Sequence, residues 1–162
     1  MLSRGVLRKG RMNIFILDLD LDRCAHDMID KHIVKMPVEY AQILSTVCRG
    51  AGYEVGYKPT HVNHPCTKWA AESLTNYQYL FQLALSTGAE YARRYNRLHA
   101  STQILQALPV YPELDLGGLT PFAQAMPEQY RDPDPVKAYR AYYRAEKAGI
   151  ATWKHGQIPE WW

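Results

Sequence analysis

The sequence predicts a mainly α protein: a single compact helical domain with a short N-terminal extended segment and a proline-rich irregular stretch before the last helix. Three observations predict it. Apolar residues recur every three or four positions in the runs that follow residues 22, 38 and 63, the spacing of a helix with one buried face. Six of the ten prolines fall between residues 109 and 135, so the breakers gather where no core helix is expected. Hydrophobic residues make up 47% and charged residues 22%, a balance that fills one core in 162 residues and excludes bulk disorder.

In chain order, Asn13 to Leu17 is apolar enough for one short strand or a buried extended segment. Asp20 or Asp22 offers a cap for a helix over 22–35. Pro37 lacks an N–H and clashes with the preceding turn, so it is expected to kink or restart the helix. The helix then continues over 38–49 until Gly50 stops it. Residues 50–62 read as a loop. Asn63 is the expected N-cap of the next helix, with Pro65 in the first turn where proline is tolerated. That helix carries Trp69, Leu74, Tyr77, Leu80, Phe81 and Ala84; Gly88 interrupts or ends it, and a further helix runs over 89–107. A last helix covers 135–148, and the tail from Trp153 to Trp162 is too aromatic to be a free end and is expected to dock.

Charge and cysteine usage narrow the setting. The formal net charge is +3, but four of the 19 basic residues precede Met12, and against 16 acidic residues the rest of the chain carries −1. Residues 1–11 have no apolar period and are expected to be an upstream extension, with residues 12–162 forming the domain. Only local basic patches, not global charge, can then support nucleic-acid binding. Cys24, Cys48 and Cys66 are odd in number without a CxxC pair, which fits a reducing cytoplasm. No apolar run is long enough to span a bilayer, so no membrane partner is expected.

Two stretches concentrate ionisable groups. His32, Lys35, Glu39 and Gln42 follow steps of 3, 4 and 3, which puts them on one helix face if Pro37 does not break the phase. A carboxyl there can work as general acid or base, and a desolvated lysine, Lys35 or its neighbour Lys31, as a nucleophile. The second stretch, Thr60 to Cys66, holds His61, Asn63 and His64. Its H-x-x-H-x-C spacing matches no zinc signature, so neither metal nor cofactor is expected. One histidine is expected to cap or pack at the helix start and the other to face a pocket. Two basic clusters have aromatic neighbours: Arg93, Arg94 and Arg97, and the stripe Lys137, Arg140, Arg144 and Lys147. Both suit a phosphate backbone.

At these motifs the chain resembles known families. Met12-Asn13-Ile14-Phe15, Asp30-Lys31-His32 through Lys35-Met36, Asn63-His64-Pro65-Cys66 with Trp69, Leu119-Thr120-Pro121-Phe122 and Pro159-Glu160-Trp161 resemble a family of small, largely uncharacterised phage proteins. More distantly, the chain is similar to pyrimidine-dimer DNA glycosylases of the phage endonuclease V type. Those helical proteins flip a base from DNA and cleave its glycosidic bond and then the backbone. They carry Asp-x-His with a catalytic Glu seven residues beyond the His, as Asp30, His32 and Glu39 do. Bacterial relatives have Asn-His-Pro at a helix start and a later Tyr-Leu step, matching Asn63-His64-Pro65 and Tyr79-Leu80.

The resemblance implies a DNA glycosylase of the infected bacterial cytoplasm, acting on duplex DNA with an extruded pyrimidine. Glu39 would be acid/base or stabilise the sugar cation, Lys35 would be nucleophile or electrostatic partner, and His32 and His64 would orient substrate or protonate the leaving base. Gln42, His61, Asn63 and Trp69 would line the pocket. The family's nucleophile is the amine of the processed N-terminal residue. Here Asn13 follows Met12, and methionine is poorly removed before so large a residue; a start at Met1 puts the amine well before the matched region. Lys31 or Lys35 then substitutes, or Glu39 activates water. The same scaffold would serve a transferase in thymine hypermodification, or a non-enzymatic anti-defence protein that sequesters a nucleotide or a protein.

Overall fold

The computed structural model describes residues 12–162; the upstream extension expected over residues 1–11 lies outside the described residues. The chain is mainly α. Residues 12–17 run extended and buried, and no strand forms among the described residues. Then follow α1 (Leu21–His26), α2 (Asp30–Gly50), α3 (Pro65–Glu72), α4 (Leu74–Tyr95), α5 (Ser101–Ala107) and α6 (Pro135–Glu146). The two long helices α2 and α4 pack on each other, with α1 against α4 and α3 against both. Ile16 and Leu17 of the extended segment, Ile33, Tyr40 and Leu44 of α2, Tyr77 and Leu80 of α4, and Tyr139 and Tyr143 of α6 lie fully buried in one apolar cluster. Residues 108–134 are irregular apart from a 3-10 turn at Glu128–Tyr130.

The helix expected over 22–35 is two helices. α1 stops at His26, where Asp27 and Ile29 serve tertiary partners: Trp153 Nε1 donates to the Asp27 carbonyl at 3.1 Å, Trp161 Nε1 to Asp27 Oδ2 at 2.8 Å, and the Ile29 N–H to the Tyr143 hydroxyl at 3.0 Å. Pro37 lies inside α2 and neither stops nor restarts it. In the preceding turn His99 Nε2 donates to Val34 O at 2.8 Å, while its Nδ1 accepts the Ser101 N–H, which assigns the ring proton to Nε2.

The single helix expected from Asn63 to Gly88 breaks at Ser73, whose hydroxyl caps α4 through the Asn76 N–H and donates to Gly118 O. Its N-cap is His64, not Asn63: His64 Nδ1 accepts the Cys66 N–H at 3.1 Å, and Pro65 takes the first helical position. α4 passes through Gly88 and ends at Asn96, whose left-handed φ of 52° caps it, so the helix expected over 89–107 is also divided.

The aromatic tail docks as expected, and it meets the two long helices at a buried ion network. Arg94 has no exposed side-chain surface. Its guanidinium donates to Glu90 at 2.7 Å, to Asp30 at 3.1 Å and to the His26 carbonyl at 2.9 Å. Burial pushes the Glu90 carboxyl up, but the hydrogen bonds from Arg93 and Arg94 outweigh it and hold it below its usual range. The other Asp30 oxygen accepts Thr152 Oγ1 and the Lys154 N–H, and the Asp30 N–H donates to Thr152 O. Gly156 lies against the guanidinium, where an added Cβ would stand 3.1 Å from Arg94 Cζ. Arg94→Ala removes the one guanidinium shared by two buried carboxylates and should lower the unfolding free energy by about 3–5 kcal/mol, read by urea denaturation at pH 7.

Candidate active site

The stripe on α2 keeps its phase through Pro37. Lys35 Nζ stands 3.1 Å from Glu39 Oε1, a one-turn ion pair. Glu39 is buried, and its Oε2 has no hydrogen-bond partner among the described residues. Burial pushes its carboxyl above the usual range against the pull of the Lys35 ammonium and of the Asn13 backbone N–H. Unsatisfied buried carboxyl oxygens are destabilising in a folded chain. This one sits where Lys35, the Asn13 backbone and the charge of His61 meet.

Each of those neighbours is fixed from elsewhere. Asn13 Nδ2 donates to Ala125 O at 3.0 Å. Asn13 Oδ1 accepts the Ile14 N–H and lies 2.8 Å from the Tyr139 hydroxyl, which shares its one proton with Ala123 O at 2.6 Å. The loop carrying His61 is tied down on α2: Ser45 Oγ accepts the Tyr57 N–H, Thr46 Oγ1 accepts the Thr60 N–H, and Arg49 donates to the Tyr57 and Gly56 carbonyls. Gly56 has φ +70° and is pressed on Ser45 and Leu108, so no side chain fits there. His61 itself has φ 48°, a left-handed conformation held in place by this loop, with Nδ1 2.8 Å from Thr60 Oγ1.

Behind the carboxyl lies an aromatic stack. His32 stacks on Phe15 at 4.5 Å between centroids, and Phe15 lies nearly parallel to Tyr142 at 6.4 Å. The Tyr143 hydroxyl accepts the Ile29 N–H and lies 2.8 Å from His32 Nδ1, an arrangement in which neutral His32 accepts the tyrosine proton. Burial, with the nearby charges of Lys147 and Lys35, lowers the His32 pKa from 6.5 to about 3. His32 therefore has no proton to give a leaving base at neutral pH, and it packs inside the molecule. Lys147, the C-cap of α6, holds its Nζ 5.4 Å from the Tyr142 ring centroid and 6.0 Å from that of Phe15. Burial first, and Lys35 second, lower its pKa, with Glu146 and Glu39 opposing.

Glu39, Lys35 and Lys147 are thus brought together with Asn13, Phe15 and Tyr142, which the sequence reading had not assigned to the site. His61 lies exposed in the loop before α3, and His64 caps α3, whose Cys66 Sγ lies 3.9 Å from Asn13 Oδ1. Burial pushes the Cys66 thiol up to about 12, which removes it as a nucleophile. Gln42 is half-buried one turn beyond Glu39, and Asn63 is exposed. Lys31 is exposed on the first turn of α2.

Other expected site residues are braces. Trp69 is 2% exposed, packs on Phe122 and Tyr79 and donates to Thr120 O, so it belongs to the core and not to a substrate pocket. Arg94 is consumed by the buried network and cannot meet a phosphate. Arg93 pairs with Glu90, and Arg97 donates to the Tyr91 hydroxyl. On α6, Arg140 pairs with Asp18, Arg144 donates to Trp161 O, and both lie over the Trp161 ring, while exposed Lys137 stands 3.7 Å from Asp132. An open cavity of about 620 Å³ adjoins the Asn13 anchor, walled by Pro65, Phe122 to Ala125 and Arg131 to Pro133. Among the described residues no cluster of His, Cys, Asp and Glu is arranged to hold a metal, and no helix is long and apolar enough to cross a membrane.

A family model described as pyrimidine dimer DNA glycosylase matches residues 12–103. That span contains Asn13, His32, Lys35, Glu39, His61 and His64 but not α6. Neither the curated proteins nor the solved structures contain a match.

The depressed His32 pKa makes stability pH-dependent. Its contribution is fully present above pH 6.5, the unfolded value, and is lost as pH falls toward about 3. Across that window this one group should make stability rise by up to about 1.4 kcal/mol per pH unit. His32→Phe should lose that slope, measured by urea denaturation at several pH values.

Proposed function

The chain belongs to the pyrimidine dimer DNA glycosylase family, and we propose that it cleaves the N-glycosidic bond of a damaged or modified pyrimidine extruded from duplex DNA. The observation that carries this reading is the Glu39 carboxyl: buried, raised in pKa, ion-paired on one oxygen and, among the described residues, without a hydrogen-bond partner on the other. A carboxyl whose pKa is raised by burial is suited to pass a proton to a departing base, and the carboxylate left behind stabilises positive charge on the sugar. The glycosidic bond of a stacked base is out of reach of such a group, so the nucleotide must leave the helix first.

Lys35 and Lys147 give this face a local excess of positive charge beside one carboxylate. That charge suits the phosphates on either side of an extruded nucleotide. Lys137, exposed on α6, extends the basic edge, whereas Arg94, Arg140 and Arg144 have internal duties. His61, exposed in the loop before α3, takes the substrate-orienting role considered for His32.

The test uses ultraviolet-irradiated duplex DNA as substrate and scores abasic sites formed. Glu39→Gln keeps the side-chain volume and should reduce base release by about 10²–10⁴-fold while leaving the thermal unfolding temperature near the parent value. Unchanged base release in a folded Glu39→Gln protein would sink the reading.

A further inference from the structure

We propose that Leu98 is a wedge that enters the base stack of the duplex and keeps the extruded nucleotide from returning. The inference rests on the glycosidic-cleavage reading and adds a positioning residue to it. That residue lies in the turn between α4 and α5, on a different part of the chain from the Glu39 carboxyl.

Extrusion breaks the stacking on both faces of the departing base. The gap it leaves is walled by two apolar base faces. A hydrated ion gains nothing there, whereas an aliphatic side chain fills it and holds the step open. A wedge must therefore be apolar, uncovered, firmly mounted, and flanked by cations that meet the phosphates on either side.

Leu98 is 77% exposed, and both of its neighbours are anchored. Before it, Asn96 closes α4 with a φ of 52° and donates its N–H to Ala92 O at 2.8 Å, and Arg97 Nε donates to the Tyr91 hydroxyl at 2.8 Å. After it, buried His99 donates through Nε2 to Val34 O, accepts the Ser101 N–H at Nδ1, and meets the Tyr91 ring edge-on at 4.6 Å. The turn is fixed, and its leucine points away from the core that fixes it.

A lone exposed leucine is ordinary. This one has company of the right kind. The His99 bond lays the turn on α2 beside Val34, which is itself 46% exposed. Val34 shares the exposed stripe of α2 with Lys31 and Lys35, and Arg97 is exposed on the turn. Two uncovered aliphatic side chains thus lie among three cations. Val34 precedes Glu39 by about 7.5 Å along the helix axis, roughly two base steps at about 3.4 Å each. A wedge at this place acts beside the nucleotide whose bond Glu39 would serve. Other exposed aliphatic residues have carboxylates for neighbours, which phosphates avoid. Leu19 stands between Asp18 and Asp20, Leu116 follows Asp115, and Val62 borders a cavity that sets Glu113 and Asp115 against Lys68.

The test compares two ultraviolet-irradiated substrates, a fully paired duplex and the same strand in a duplex opened by mismatched pairs around the lesion. In the second the stack is already broken, and a wedge has little left to do. The parent protein should release base from both. Leu98→Ala should lower the ratio of release from paired over opened duplex by about 10–100-fold, because the cost of unstacking is no longer offset. Leu98→Met, which keeps an apolar side chain of similar reach, should hold that ratio within about threefold of the parent. An unchanged ratio in Leu98→Ala overturns the wedge, whether release is kept on both substrates or lost equally on both. A parent protein that acts on the paired duplex and not on the opened one overturns it too. Release by the parent from neither substrate overturns the glycosidic-cleavage reading itself, and the wedge with it.

Discussion

A guanidinium with no exposed surface must satisfy its charge and its donors from inside the protein, and Arg94 does so across three helices. Glu90 lies on its own helix, Asp30 opens α2, and the His26 carbonyl closes α1. The second oxygen of Asp30 adds the tail through Thr152 and Lys154. One buried charge therefore joins α1, α2, α4 and the C-terminal tail at a point where any rotation of α2 would strand a carboxylate. Glu39 lies about two and a half turns further along that helix. Its position by Asn13 is set by the junction at the start of the helix.

The first turn and the middle of α2 divide the labour. At Asp30 every charged oxygen finds a donor. At Glu39 one oxygen has none among the described residues, the adjoining loop holds His61 in a left-handed conformation, and half-buried Lys147 has no described carboxylate at salt-bridge distance. Each of these is destabilising in a folded chain, and they gather on one face. Their surroundings keep them from relaxing. Asn13 is bonded on both sides of its amide, the His61 loop is tied to Ser45, Thr46 and Arg49, and His32 is wedged between Phe15 and Tyr143. Rigid, satisfied neighbours are what allow an unsatisfied carboxyl to persist where substrate would meet it.

Most of the arginines that looked suited to a phosphate backbone hold the fold together instead. Arg94 is interior, and Arg140 and Arg144 grip the tail through Asp18, the Trp161 carbonyl and the Trp161 ring. The positive charge left at the site comes from lysines. This accords with the chemistry of the two side chains: a guanidinium satisfies several fixed acceptors at once, whereas a lysine on a flexible stem responds to burial with a shifted pKa.

Local pattern by itself determined the helical class, the irregular proline-rich segment, the docked aromatic tail, and the alignment of His32, Lys35 and Glu39 on one face, because each follows from spacing within a few residues. It also singled out Glu39 and Lys35. It misplaced the breaks at residues 27–29, 73 and 96 and expected a kink or restart at Pro37, where α2 runs on with the proline buried in the core. It could not separate Arg94 from Lys147, or Trp69 from Phe15, since each pair is alike in local context. Only the tertiary structure decided which of them braces the core and which faces the carboxyl. The partners that decide lie far off in the chain, as Asp30 is 64 positions from Arg94 and Ala125 is 112 from Asn13. Burial, pairing and pKa are properties of such meetings, and no residue carries them alone.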